Sequence, residues 1–162
     1  KELDDVARIG INFELNKELD QYTYFGVGPH ESMPDRAIGR VGKYSSTVEK
    51  QLTDYIKPQE CGGHVGVRWF EISDSPAGGL AKNARGIRIE LDKPRMVTVL
   101  PVTSEALADA THNIYVKRSG TTVVTIDAIH RGVGTASCGP DTLDQYKIKP
   151  GTYKFTWTLL AL

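Results

Sequence analysis

The stretch TIDAIHRGVGTASCGPD, residues 125–141, begins as a strand and ends as a loop of small residues. Its first half is rich in β-branched residues that favour a pleat, whereas Gly132, Gly134, Gly139 and Pro140 interrupt any regular element. Because glycine permits positive φ and close approach by other atoms, this loop can be held against a ligand or another backbone. A glycine-rich bend without a functional role is the alternative at this point.

Alternating segments on both sides of this stretch predict further strands. Residues 7–15 alternate apolar and polar side chains, which is the period of a half-buried antiparallel strand. Further strands are predicted over residues 22–27, 64–72, 86–91, 96–102, 112–117, 121–130, 146–149 and 152–160. Turn residues predict hairpins at 16–20 and at 150–151. Residues 43–52 are either a short helix or an irregular connection.

One short helix is predicted at residues 103–107, with Thr103 or Ser104 as its N-cap and an acidic first turn. Many short alternating strands, turn residues between them and a single brief helix indicate an all-β fold. We therefore predict an antiparallel β-sandwich, with residues 1–162 forming a single domain.

Charge and hydropathy exclude two classes of partner. Lysine plus arginine and aspartate plus glutamate each number 20, so no net field draws the chain to nucleic acid. Apolar runs are far shorter than a membrane span, which predicts no membrane partner. Cys61 and Cys138 are too few for a disulfide framework or a cysteine zinc site. They indicate two free thiols in a reducing, cytoplasmic compartment, with a single bridge as the alternative.

The residues His30, Glu31, Asp35 and Arg36 form the first candidate site. A metal or an acid/base pair is one interpretation, but no second histidine follows at the spacing that would place two ligands on a helix face. We favour a structural loop network, in which Glu31 or Asp35 pins the loop against Arg36 and the carboxylates cap backbone N–H groups. No metal site is predicted.

Other catalytic arrangements lack essential parts. The sequence contains neither a dinucleotide-binding glycine triplet nor a phosphate-binding loop. Pairing of Ser137 or Cys138 with His130 lacks an orienting third group, and no carboxylate pair for sugar hydrolysis is identifiable. Trp157 is expected in the core, whereas Trp69 is either a core residue, which we favour, or a sugar-stacking platform. The chain is not predicted to be a complete enzyme.

Six segments in order resemble one known family: ARIGINFEL, YFGVGPHESMPDR, YIKPQECGGHVGVRW, the predicted helix with Ala110-Thr111-His112, IDAIHRGVGTASCGPD and YKFTWTLL. The specific parts are the block G-x-G-P-x-E-x-x-x-D-R, residues 26–36, and Pro58-Gln59-Glu60. The chain resembles the C-terminal, small-chain domain of β-galactosidases of glycoside hydrolase family 2, and the resemblance covers nearly its whole length.

The resemblance implies the later portion of a super-sandwich domain of the galactose mutarotase-like type, belonging to a longer enzyme that hydrolyses terminal β-D-galactosides such as lactose. The catalytic glutamates of that family lie in a separate (β/α)8 barrel. Its magnesium and sodium sites also lie in other domains, so no cofactor is expected in this segment. The fragment alone is expected to be inactive, and its partners are the other domains and the β-galactoside at their interface.

By the same resemblance, the loop at residues 132–140 reaches the rim of the sugar site, where family members place a platform tryptophan. Gly132, Gly134 and Gly139 match the family. The intervening run is one residue shorter, and Cys138 is nearest the place of the tryptophan. A thiol cannot stack on a pyranose as an indole does. Ser137, Cys138 and Gly139 are expected to line the rim by contact rather than by chemistry.

Two alternatives are a free-standing carbohydrate-binding module and a mutarotase-like enzyme. Galactose or lactose titration would distinguish the first and polarimetry the second, and we expect no binding below roughly millimolar sugar. Absence of parent strands would leave an uncovered sheet edge, so self-association is also expected.

Overall fold

The computed structural model describes residues 5–75, 85–135 and 139–162. Its seven strands are β1 (Arg8–Asn16), β2 (Gln21–Gly28), β3 (Arg40–Thr47), β4 (Gly63–Ser73), β5 (Gly86–Leu100), β6 (Thr121–His130) and β7 (Trp157–Ala161). Within these ranges one α-helix, α1 (Ser104–Asp109), and three 3-10 turns complete the regular structure, the turns lying at Glu49–Gln51, Asn113–Tyr115 and Asp144–Tyr146.

All strand pairs are antiparallel, in the order β1-β6-β5-β4-β2-β3. The long strand β5 has two partners along one side. Its first half pairs with β7 from Ile87 to Leu91, and its second half pairs with β6 from Met96 to Leu100. β5 therefore joins two parts of the fold.

The larger of two buried clusters among the described residues joins both parts of the sheet. It contains residues of β2, β4, β5 and β6, with half-buried side chains of β1 packed against them; the buried members are Tyr22, Tyr24, Val48, Val67, Phe70, Ile72, Ile89, Val97, Val99, Val124 and Ile126. Phe13 of β1 also stacks on Trp157 of β7 at 6.4 Å between ring centroids, although these strands share no ladder. The sheet thus closes over its apolar face as the layers of a β-sandwich.

The predicted fold class is confirmed: the described chain is antiparallel β structure with one short helix. The predicted cap is also confirmed, because Thr103 Oγ1 accepts a hydrogen bond from the Ala106 N–H at 3.1 Å. None of the described helices is long and apolar enough to cross a membrane.

Several predicted local elements are wrong. Residues 16–20 do not close a hairpin, because β1 pairs with β6 and β2 pairs with β3 and β4. Residues 43–47 belong to β3, and the predicted strand at 112–117 contains a 3-10 turn instead. The segments predicted at 86–91 and 96–102 are joined in one continuous strand, which ends at Leu100.

The predicted final hairpin around residues 150–151 is also absent from the described chain. Residues 144–146 form a 3-10 turn, and β7 begins only at Trp157 and pairs with β5. Trp157 itself is 37 % exposed, so its predicted place in the core is wrong. Local alternation predicts a strand but does not choose its partner, which here is about 70 residues away in sequence.

Candidate functional site

The candidate site is built on a tight turn between β2 and β3, residues 31–36. Met33 and Arg36 exchange backbone hydrogen bonds at 3.2 and 2.9 Å, and the Met33 side chain is fully buried. The Ser32 N–H donates to the Gly63 carbonyl at 2.7 Å, which ties the turn to the start of β4. The sheet therefore fixes where the side chains of this turn point.

Glu31 uses its carboxylate to hold the neighbouring loop. It accepts hydrogen bonds from the Gly62 N–H at 2.8 Å, from the Thr53 hydroxyl at 3.0 Å and from the Tyr55 hydroxyl, and it pairs with Arg36 at 2.9 Å. Burial raises the pKa of Glu31, but these hydrogen bonds and the Arg36 charge outweigh it and hold the pKa below its ordinary value.

Asp35 reaches in another direction, to the loop after β6. Its carboxylate accepts the N–H of Val133 at 3.2 Å, the N–H of Gly134 at 2.8 Å and the hydroxyl of Thr142 at 3.0 Å. Burial raises the pKa of Asp35, and the hydrogen bonds from Gly134, Thr142 and Val133 more than offset this, so the pKa is lowered. The two candidate regions chosen from sequence are thus in direct contact.

The glycines of this loop leave room for that contact. A Cβ on Gly132 would lie 2.6 Å from Asp35 Cγ and 2.4 Å from Thr142 Oγ1. Gly134 has φ of +60°, and a Cβ there would lie 2.5 Å from the Thr142 nitrogen. No side chain fits at either position without moving the anchoring groups. Close packing therefore explains why glycine occupies both positions.

The described part of the loop lies at the surface. Val133, Thr135, Gly139 and Pro140 are exposed, whereas Gly132 is buried beneath them. The Thr135 N–H and hydroxyl both donate to the Pro140 carbonyl at 3.1 Å, and the Gly139 N–H donates to the Thr135 carbonyl at 2.6 Å. The predicted rim residues Ser137 and Cys138 lie outside the described residues. The base of the loop is therefore defined by its own hydrogen bonds and by Asp35.

Local sequence patterns do not reveal most partners in this network. Thr142, Thr53 and Tyr55 carry no local sign of their contacts, because each lies 22 to 107 residues from the residue of the 31–36 turn that it contacts. The one usable signal is the density of glycine near residues 62 and 132–134, which indicates close approach without identifying what approaches.

The Pro58-Gln59-Glu60 block enters a second polar cluster. Arg8 binds Asp127 through two hydrogen bonds, at 2.9 and 2.7 Å, and binds Glu60 at 3.1 Å. The Asp127 side chain is fully buried, and burial lowers the pKa of Arg8 less than its two carboxylate partners raise it. The cluster joins the start of β1 to the end of β6, close to the base of the loop.

His64 lies buried beside Glu31, in the wall of a cavity of about 380 Å³. It is 1 % exposed, stacks on Tyr24 at 4.1 Å between ring centroids, and shares a hydrogen bond of 2.7 Å with Gln51 Oε1. Burial lowers the pKa of His64 from 6.5 to about 4. The imidazole is consequently neutral near pH 7 and serves packing rather than charge.

Both tryptophan rings have an aromatic neighbour. Trp69 is half-buried on the outer face of the sheet, where Arg88 lies 4.1 Å from its ring centroid and Phe25 stacks beside it at 6.2 Å. Trp157 stacks on Phe13. Over the described ranges, no group of three or more His, Cys, Asp or Glu residues is arranged to hold a metal ion.

Comparison with known proteins gives one consistent answer. The family model described as "Beta galactosidase small chain" matches residues 1–159. The chain is 30 % identical over 160 residues to a "Beta-galactosidase" of Actinobacillus pleuropneumoniae, covering 98 % of this chain and 15 % of that protein. It is 36 % identical over 142 residues to a "Beta-galactosidase" of Lactobacillus delbrueckii subsp. bulgaricus, covering 87 % and 13 %.

A "Beta-galactosidase" of Kluyveromyces lactis is 32 % identical over 157 residues, covering 96 % of this chain and 14 % of that protein. The chain therefore spans about 15 % of the length of the curated relatives that it matches.

Proposed function

Because the chain belongs to the β-galactosidase small-chain family, we propose that it serves as a non-catalytic domain of a glycoside hydrolase family 2 β-galactosidase. The complete enzyme would hydrolyse terminal β-D-galactosides such as lactose. The observation that carries this proposal is the family match over residues 1–159, combined with relatives in which the matching region is 13–15 % of the length.

We further propose that the loop at residues 132–140 contributes to the rim of the galactoside site. Val133, Thr135, Gly139 and Pro140 are exposed while the base of the loop is fixed, which is the arrangement needed to present a loop to a neighbouring domain. The clustered carboxylates Glu31, Asp35, Glu60 and Asp127 are all engaged in structural hydrogen bonds. On the family resemblance, we propose that the catalytic carboxylates, and any magnesium or sodium, lie in other parts of the enzyme.

A chromogenic β-galactoside tests the division of labour. The complete enzyme that contains this chain should hydrolyse it, whereas the isolated 162-residue chain should give no turnover. Hydrolysis by the isolated chain would contradict the assignment of catalysis to another part. A complete enzyme inactive on every β-galactoside would overturn the proposed function itself.

A free-standing sugar-binding module has less support, because Trp69 is half-buried and has Arg88 over its ring and Phe25 stacked beside it. Calorimetric titration of the isolated chain with galactose should show no binding below roughly millimolar sugar. Tighter binding would favour the module over the enzyme domain.

The last strand supports a proposal about assembly. β7 pairs only with β5 in the described chain, and Trp157, Leu159, Leu160 and Leu162 are all exposed. An apolar edge strand favours association, so we propose self-association of the isolated chain through this edge. Light scattering should detect a dimer, and a monodisperse monomer at high concentration would contradict this.

We also propose a cytoplasmic location for the complete enzyme. The buried Cys61 thiol accords with a reducing compartment.

A further inference from the structure

One carboxylate fixes both ends of the loop that follows β6. Asp35 binds the N–H groups of Val133 and Gly134 where the loop begins and the Thr142 hydroxyl where it ends, at 3.2, 2.8 and 3.0 Å. The partners are 98 to 107 residues away in sequence. Asp35 therefore sets the separation of the two ends of the loop and also their position against the sheet.

The contact has a steric side as well. Gly132 packs against the carboxylate so closely that an added Cβ would overlap Asp35 Cγ. A Cβ added at Gly134 would overlap the backbone of Thr142. Hydrogen bonding and packing thus converge on one arrangement of the loop base. A loop held only by its own turns would have no such requirement.

Asp35 is itself held in place from the sheet. The Met33–Arg36 turn is closed by two backbone hydrogen bonds, and Met33 is fully buried beneath it. Arg36 turns away to Glu31, and among the described residues no lysine or arginine lies within 4.0 Å of the Asp35 carboxylate. The Asp35 carboxylate is thus stabilised mainly by hydrogen bonds from the loop, with its own backbone N–H as a lesser contributor, so most of its interaction energy goes into holding that loop.

We propose that Asp35 is a positioning residue, which acts through the loop at residues 132–142 to set the geometry of the galactoside site without touching the sugar. This inference rests on the proposed function, because it assigns a role to that loop in sugar binding. Positioning groups matter at this range because a displacement of about 1 Å in a binding loop can cost orders of magnitude in rate.

The first arm of the test uses kinetics of the complete enzyme. Asp35→Asn replaces an acceptor oxygen with a donor that faces N–H groups, so the loop base should shift. We expect KM for a chromogenic β-galactoside to rise roughly tenfold with kcat changed by less than about threefold. Thr142→Val should raise KM in the same direction, and Thr142→Ser, which keeps the hydroxyl, should restore it.

A matched control is Asp74→Asn. Asp74 also accepts a backbone N–H, from Arg85 at 3.0 Å, but belongs to a different loop. Asp74→Asn makes the same carboxylate-to-amide change as Asp35→Asn. It should leave KM unchanged, because Asp74 does not contact the loop after β6. A purely structural role for Asp35 would lower the active fraction and leave KM of the remaining enzyme unchanged, and that result would overturn the proposal.

The second arm does not depend on activity. Amide hydrogen exchange of the 162-residue chain should accelerate at Val133 and Gly134 by roughly tenfold in Asp35→Asn and not in Asp74→Asn. Unchanged exchange at these amides would overturn the proposal even if activity fell. A wild-type enzyme without β-galactosidase activity would instead overturn the proposed function, and the exchange measurement would still decide whether Asp35 holds the loop.

Discussion

Glu31 and Asp35 lie four residues apart on the same turn, yet their carboxylates hold different parts of the molecule. Glu31 binds groups at residues 53, 55 and 62 and is paired with Arg36, and its side chain is 14 % exposed. Asp35 binds groups at residues 133, 134 and 142 and has no cationic partner in the part of the chain that the structure describes. One turn thus carries two anchors with different surroundings.

The two anchors differ in the surroundings of the segments that they bind. The residues next to Gly62 continue into apolar packing, because Cys61 belongs to a buried cluster with Leu100, Val102 and Leu107. The loop held by Asp35 continues to the surface. Damage at Glu31 should therefore appear in the stability of the whole chain, whereas damage at Asp35 should appear in the local order of one loop.

The largest expected effect is acid sensitivity at the Glu31 end, and its source is His64. Burial lowers the pKa of His64 from 6.5 to about 4 in the folded chain. The unfolded chain takes up this proton more readily, so the stability contributed by neutral His64 is complete above pH 6.5 and is lost as pH falls towards 4. The loss should reach on the order of 3 kcal/mol, measured as the urea unfolding free energy between about pH 7 and about pH 4.5.

His64→Phe provides the control for this titration. It keeps an aromatic ring against Tyr24 and removes the titrating group, so most of the pH dependence in this interval should disappear. A His64→Phe chain that loses as much stability as the wild type over the same interval would assign the acid sensitivity to other groups.

The next effect compares the two anchors directly. Glu31→Gln removes the ion pair with Arg36 and weakens the hydrogen bonds from Gly62 and Thr53, which are charge-assisted. We expect it to lower the free energy of unfolding by about 2 kcal/mol, against about 1 kcal/mol for Asp35→Asn. Urea midpoints with unchanged m-values would measure both. A larger global loss from Asp35→Asn would reverse the comparison.

Local sequence reasoning predicts the fold class well and strand partners poorly. β6 has the bounds that alternation and turn residues predict, 121–130. The final hairpin fails because residues 152–156 alternate like a strand, yet only the segment from Trp157 finds a ladder, along β5. Residues 112–117 show the same kind of pattern, yet they contain a 3-10 turn in which Ile114 is 78 % exposed. Pairing depends on distant segments that a local period does not encode.

The candidate site follows the same division. The chemistry of the 31–36 block predicts carboxylates that cap backbone N–H groups, with either Glu31 or Asp35 held against Arg36. In the structure Arg36 pairs with Glu31, and Asp35 crosses to Gly134. A carboxylate four residues from another offers no local sign of which distant loop it will meet, so sequence alone does not predict this contact.

A smaller effect is expected from the glycine that receives Asp35. Gly132→Ala places a methyl group against Asp35 and Thr142 and should cost about 1 kcal/mol, since a surface loop can shift to relieve the overlap. Gly151→Ala is the matched control, because the nearest atom to its added Cβ is 3.8 Å away, an ordinary contact. Thermal unfolding of the two variants measures the difference, and equal midpoints would contradict the steric role of Gly132.

The smallest expected effect is a change in the alkylation rate of Cys61, which depends on local opening near the Glu31 anchor. Cys61 precedes Gly62, is 1 % exposed, and has its pKa raised to about 11, mainly by burial. Alkylation of a buried thiol requires a transient opening, so iodoacetamide near pH 8 should modify Cys61 slowly in the folded chain. Glu31→Gln loosens Gly62 and removes a nearby negative charge, and both changes should speed the reaction severalfold. Asp35→Asn should leave the rate unchanged, because the groups that Asp35 binds are not members of the buried cluster that contains Cys61. Peptide mapping by mass spectrometry separates Cys61 from Cys138, and equal acceleration by both variants would show that the two anchors act as one unit.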